Sequence, residues 1–142
     1  GGEVRTKGKN RKNEPWMIAV ETPDLESSGN KTINWALPLK SMAMATSGDY
    51  KNYYEIDGIR YSHEIDPRTG YPAKTGIASA TVVASNCMDA DALATALIIM
   101  GVESGLQFIE KLDGVEAFLI VREGNDNNYR TIKSSGMKIS TL

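Results

Sequence analysis

The sequence predicts an α+β chain rich in antiparallel sheet, with two consecutive helices. Three observations carry that expectation. Asp57-Gly58 stands between Tyr53-Tyr54-Glu55-Ile56 and Ile59-Arg60-Tyr61-Ser62, the two-residue signal of a type I′ turn between antiparallel strands. Ile77 to Ala84 alternates Ile, Ser, Thr and Val as a strand does, and Val115 to Arg122 carries the Ala-Phe-Leu-Ile-Val run of a central strand. Cys87 to Met100 reads instead as a helix, with Asn86 to cap it and Gly101 to stop it, and Val102 to Leu112 supplies the second helix.

The other elements follow in order. Gly1 to Gly8 reads as a strand that opens without Met, as though the boundary fell inside a longer domain. It is expected to pair with segments outside these residues, since an unpaired edge would remain otherwise. Trp16 to Val20 is a short apolar strand ended by Thr22-Pro23, Leu25 to Lys31 is a loop, and Ile33, Trp35 and Leu37 alternate up to Pro38. Met42 to Thr46 is another strand. Ser47-Gly48-Asp49 closes it as a turn by composition, although small residues with free backbone N–H groups also approach phosphates. After the hairpin, Asp66-Pro67-Arg68-Thr69-Gly70 forms a tight turn and Tyr71 to Gly76 an irregular connection. Nearly every residue from Met88 to Met100 is apolar or small, which predicts a helix buried on most sides. Asp113-Gly114 turns the chain, Glu123 to Asn128 is a polar loop, Tyr129 to Lys133 is a strand, and the tail from Ser134 is short and exposed.

Composition bounds the function. The 142 residues, 41% hydrophobic, suit one compact domain with a core. A formal net charge of −2 argues against a nucleic-acid partner, and Arg5, Lys7, Lys9, Arg11 and Lys12 read as a solvated loop. No apolar segment reaches the roughly twenty residues that span a bilayer. The single cysteine, Cys87, excludes an internal disulfide and leaves the redox compartment open.

Two places carry candidate chemistry, each with a plainer reading beside it. His63, the one histidine, stands where the returning hairpin strand meets the turn; it is either a base with a near-neutral pKa or a packed residue of an amphipathic strand. Strand alternation puts it on one face with Tyr61 and Ile65, and Ser62 and Glu64 on the other. On the first helix Asp89 complements the helix dipole and needs no further role. Asp91 and Thr95 are four apart and share a face. A carboxylate and a hydroxyl suit Mg²⁺ completed by carbonyls, waters or substrate phosphates; alternatively Asp91 extends the capping turn and Thr95 bonds back to the carbonyl of residue 91. Arg68 either adds charge to a phosphate or lies exposed in its turn.

Several stretches together resemble the ApbE-type flavin transferases, once described as thiamine-biosynthesis lipoproteins. They are Gly1-Gly2-Glu3 with Lys7-Gly8, Ala45-Thr46-Ser47-Gly48-Asp49-Tyr50, Tyr61 through Pro72, and Asp89-Ala90-Asp91-Ala92-Leu93-Ala94-Thr95-Ala96. The His-x-Ile-Asp-Pro-x-Thr-Gly string followed by Asp-Ala-Leu-x-Thr-Ala is the specific part. The resemblance implies an ApbE-like, T-fold-like domain of which residues 1–142 form the C-terminal half. It implies FAD as substrate, Mg²⁺ as cofactor, and transfer of FMN to a Thr or Ser hydroxyl of an acceptor flavoprotein, releasing AMP. It further implies His63 as proton acceptor, Asp91 and Thr95 as metal ligands, and nucleotide contacts near Ile65, with Ser47, Gly48 and Arg68 as further candidates. The missing N-terminal half would add flavin-stacking residues and metal contacts, and a lipid anchor holding the protein on the periplasmic side of the inner membrane. Glu64 departs from a pattern often apolar at that position, and strand alternation turns it away from His63. Two other activities fit the same residues: FAD hydrolysis to FMN and AMP, and flavin binding without catalysis.

Overall fold

The computed structural model describes residues 2–23, 33–48, 53–56, 59–123 and 128–142. In chain order its strands are β1 (Val4–Arg5), β2 (Trp16–Glu21), β3 (Ile33–Leu39), β4 (Ala43–Gly48), β5 (Tyr53–Ile56), β6 (Ile59–Ser62), β7 (Ile65–Asp66), β8 (Tyr71–Pro72) and β9 (Ile77–Ala84). Helices α1 (Cys87–Met100) and α2 (Val102–Ile109) follow, then β10 (Glu116–Arg122), β11 (Tyr129–Lys133) and β12 (Ser140–Thr141). The principal sheet is antiparallel throughout, in the order β1-β4-β9-β10-β11. A second sheet runs β12-β3-β2, and β5-β6 and β7-β8 form two small hairpins.

The arrangement is three layers: helices, principal sheet, second sheet. Because side chains alternate along a strand, Ala117, Leu119 and Val121 of β10 meet Ala90, Ala94, Leu97 and Ile98 of α1 and Ile109 of α2. Phe118 and Ile120 point the other way, into a core with Val20, Leu37 and Leu39 of the second sheet. The Trp35 and Phe118 rings meet across that gap at 5.5 Å between centroids. Cover on both faces explains why β9 and β10 carry little outward polarity.

Helix α1 begins as its sequence requires. Asn86 is extended, its side-chain oxygen accepts from the Asp89 N–H at 2.9 Å, and its amide donates to the Asp89 carboxylate at 2.7 Å. The helix ends at Gly101, whose φ of 83° suits glycine and whose N–H returns to the Leu97 carbonyl. That residue also opens α2, so one glycine turns the chain between the helices.

Four expectations need correction. Helix α1 is buried along one stripe, with Met88, Asp89, Asp91 and Ala92 exposed; apolar and small residues on its open side disguised that face. The tail is not an exposed appendage. Ser134 and Met137 are buried, Met137 joins the core between the sheets, and Ser140–Thr141 pair with Trp35 and Ala36. Strand β3 continues through Pro38, where it lies beyond the reach of β12 and, among the described residues, has a partner on one side only. Ser47 and Gly48 belong to β4, paired with Ala80 and Ser79, and form no turn. The opening strand pairs with β4 of this chain on one side, and its other side is the sheet edge among the described residues, the edge at which an outside partner is expected. The Asp57-Gly58 turn, Asp49 and the Leu25 to Lys31 loop lie outside the described residues. Among the described residues no helix is long and apolar enough to cross a membrane.

Candidate active site

The first part of the site forms where α1 lies on β4. Ala45 of β4 faces the helix-side core, so Ser47, two residues on, faces the same way. Its Oγ is 3.0 Å from Oγ1 of Thr95 on α1. Asp91 lies one helical turn before Thr95 on the same side and is exposed. A carboxylate and a hydroxyl on the helix, with a second hydroxyl delivered by the strand, are hard oxygen donors suited to Mg²⁺. They are too few to enclose one. Among the described residues no group of three or more His, Cys, Asp or Glu side chains comes together as a metal cage. The donor set therefore fits a cation completed by water and substrate phosphate oxygens, the usual manner of Mg²⁺.

The second part is the turn after β7. Asp66 Oδ1 accepts from the Arg68 N–H at 2.9 Å, and the Asp66 carbonyl accepts from the Gly70 N–H at 2.8 Å. The Arg68 guanidinium grips the same carboxylate, with Nη2 2.7 Å from Oδ2 and Nε 2.9 Å from Oδ1. These bonds hold the Asp66 carboxyl below the usual carboxylate range and push Arg68 upward. Arg68 Nη2 also donates to the Ile99 carbonyl, and Thr75 Oγ1 donates to that of Ile98 at 2.6 Å. Helix α1 has no basic residue in its last turn, so Arg68 supplies the cation its negative end favours. Arg68, read as either a phosphate contact or an exposed turn residue, is engaged by Asp66 and α1 with its side chain 68% exposed. The turn is thereby tied to the helix that bears Asp91 and Thr95.

His63 stands between β6 and β7, with its side chain 42% exposed. Ser62, Glu64 and Asp66 are buried while His63 and Ile65 are exposed, so burial alternates as expected, but the buried face is the polar one. Glu64 is buried on the side opposite His63 as expected, yet its Oε2 lies 3.3 Å from His63 Nδ1, a contact made in the segment between β6 and β7. Neither the reach of Glu64 to His63 nor that of Thr75 to α1 is legible in the sequence. A Glu beside a His carries no recognised spacing, and Thr75 meets α1 only through folding.

A layered α+β chain with a helix-borne carboxylate and hydroxyl, a strand hydroxyl beside them, and a histidine at the rim of a hairpin defines the class. The chain belongs to the ApbE family, whose model matches residues 1–119. It is similar to the FAD:protein FMN transferase of Haemophilus influenzae, 44% identical over 138 residues, covering 97% of this chain and 38% of that protein. The FAD:protein FMN transferase of Vibrio cholerae serotype O1 is 42% identical over 138 residues, covering 97% and 40%. Among solved structures, the flavinyl transferase ApbE of Pseudomonas stutzeri in its apo form superposes with a TM-score of 0.74 at 38% identity, covering 94% of this chain and 39% of that one. The flavin transferase ApbE of Vibrio cholerae gives 0.75 at 40% identity, covering 95% and 40%. The chain spans about two fifths of the length of these relatives, less than the half expected.

Proposed function

We propose that the protein containing this chain transfers the FMN moiety of FAD to a Thr or Ser hydroxyl of an acceptor flavoprotein and releases AMP, in a reaction dependent on Mg²⁺. The observation that carries this reading is the meeting of Ser47 with Thr95 one turn from Asp91. Relatives named FAD:protein FMN transferase support it.

Asp91, Thr95 and Ser47 are the residues that would hold Mg²⁺, with Asp91 contributing the negative charge. Bound there, the ion would neutralise pyrophosphate oxygens as charge develops on them. His63 takes the proton of the acceptor hydroxyl as its oxygen attacks the phosphorus on the FMN side. A new O–P bond forms, the P–O bond to the AMP phosphate breaks, and AMP leaves. The exposure of His63 and Ile65 gives a macromolecular hydroxyl access to that rim. Backbone near Ile65 and Gly48 contacts the nucleotide, and the protein outside these residues completes the flavin site.

The test is incubation of the full-length protein with FAD, Mg²⁺ and an acceptor domain. Acid-stable flavin on the acceptor, equimolar with AMP, is the expected result. AMP with free FMN and no adduct would make the protein a pyrophosphatase, and no AMP would make it a flavin-binding module.

A further inference from the structure

We propose that Glu64 is a positioning residue for His63, holding the proton on Nδ1 so that Nε2 presents the lone pair that receives the acceptor hydroxyl's proton. This rests on the assignment of His63 as base. Three observations support it. Glu64 is 6% exposed, and its Oε2 reaches His63 Nδ1 at 3.3 Å. The carboxylate is also held from its own side, because the Ser62 hydroxyl donates to Oε2 while the Glu64 N–H donates to Ser62 Oγ at 3.2 Å. The Glu64 carbonyl accepts from the Ala73 N–H at 2.9 Å, pinning this backbone to the segment after β8.

The consequence is chemical. The two ring nitrogens of a neutral imidazole are distinct, and the partner of one decides which nitrogen is free to act as base. A carboxylate behind Nδ1 is the arrangement by which an acid orients a catalytic histidine and stabilises its protonated form. The contact of Oε2 with Nδ1 fixes which nitrogen faces the carboxylate.

The test reads the tautomer directly. The ¹⁵N NMR signals of His63 are identified by their loss in His63→Ala and measured where the ring is neutral. The wild-type protein should show the Nδ1–H form, and Glu64→Gln should shift toward the Nε2–H form. At saturating FAD the same variant should lose about ten- to a hundredfold in transfer rate, the size of effect seen on removing the partner behind a metal-ligating histidine, with the KM for FAD unchanged. An Nε2–H tautomer in the wild-type protein overturns the proposal without any variant. So does a Glu64→Gln protein with wild-type tautomer and rate while His63→Ala has lost transfer. If His63→Ala itself transfers FMN normally, the assignment of the base fails, and this inference with it.

Discussion

Gly105 on α2 offers a worked test of how the site helix is seated. A Cβ built there would lie 2.6 Å from Leu97 Cδ2, against the 3.5 to 4.0 Å of a good carbon contact. The overlap is therefore about 1 Å. Leu97 is 1% exposed and walled in by the helix-side core, so its methyl has little room to retreat. Overpacking of this kind costs about 1–3 kcal/mol, and exchanging Gly for Ala in a helix returns about 1 kcal/mol. Gly105→Ala should thus destabilise by about 1 kcal/mol net, which balances the overpacking range against the propensity gain. Leu97→Ala alone should cost about 2–5 kcal/mol as a buried large-to-small change. In that background the obstruction is gone, and Gly105→Ala should stabilise by about 1 kcal/mol, giving a coupling of about 2 kcal/mol between the sites. Urea denaturation of the four proteins by circular dichroism measures every corner of the cycle. Equal effects of Gly105→Ala in both backgrounds would refute the packing argument.

Three further outcomes are expected. Asn86→Ala removes the cap of α1 and should cost about 1 kcal/mol of stability, read by the same denaturation; no change would mean the cap bonds are replaced by water without loss. The lowered Asp66 carboxyl stabilises the fold fully above the ordinary carboxylate pKa of about 3.9, and that contribution is lost as pH falls through its folded value. Asp66→Asn should therefore show a shallower loss of stability below about pH 4 than wild type, and parallel acid limbs would contradict the bond to Arg68. His63→Ala should lower FMN transfer by about 10²- to 10⁴-fold with FAD affinity near normal, measured by single-turnover assay and flavin fluorescence; a retained rate would leave His63 structural.

What the sequence discloses and what it conceals have separable causes. The cap at Asn86, the stop at Gly101 and the turn at Asp66 depend on contacts within a few residues, so local chemistry specifies them. The pairing of Ser47 with Thr95 and the reach of Thr75 and Arg68 to the end of α1 join residues distant in the chain. The motif resemblance implied Thr95 as a ligand, but no local rule places Ser47 beside it. The strand character of Ser47-Gly48 was hidden because small turn-forming residues were recruited into a ladder by β9. The buried tail was hidden by its polar composition, in which Met137 is the residue that joins the core. Glu64 was concealed by treating residues 63 and 64 as strand, where the side chains of neighbours diverge.

Asp91, Thr95 and Ser47 are proposed to hold the divalent ion with the FAD pyrophosphate. Mn²⁺ binding to the full-length protein in the presence of FAD, followed by electron paramagnetic resonance, tests it apart from turnover. Wild type should bind Mn²⁺ with FAD present, Asp91→Asn should lose that binding, and Thr95→Val should weaken it less, since a charged ligand contributes more than a neutral hydroxyl. Undiminished Mn²⁺ binding in Asp91→Asn would contradict the claim and leave Asp91 a residue of the opening turns of α1.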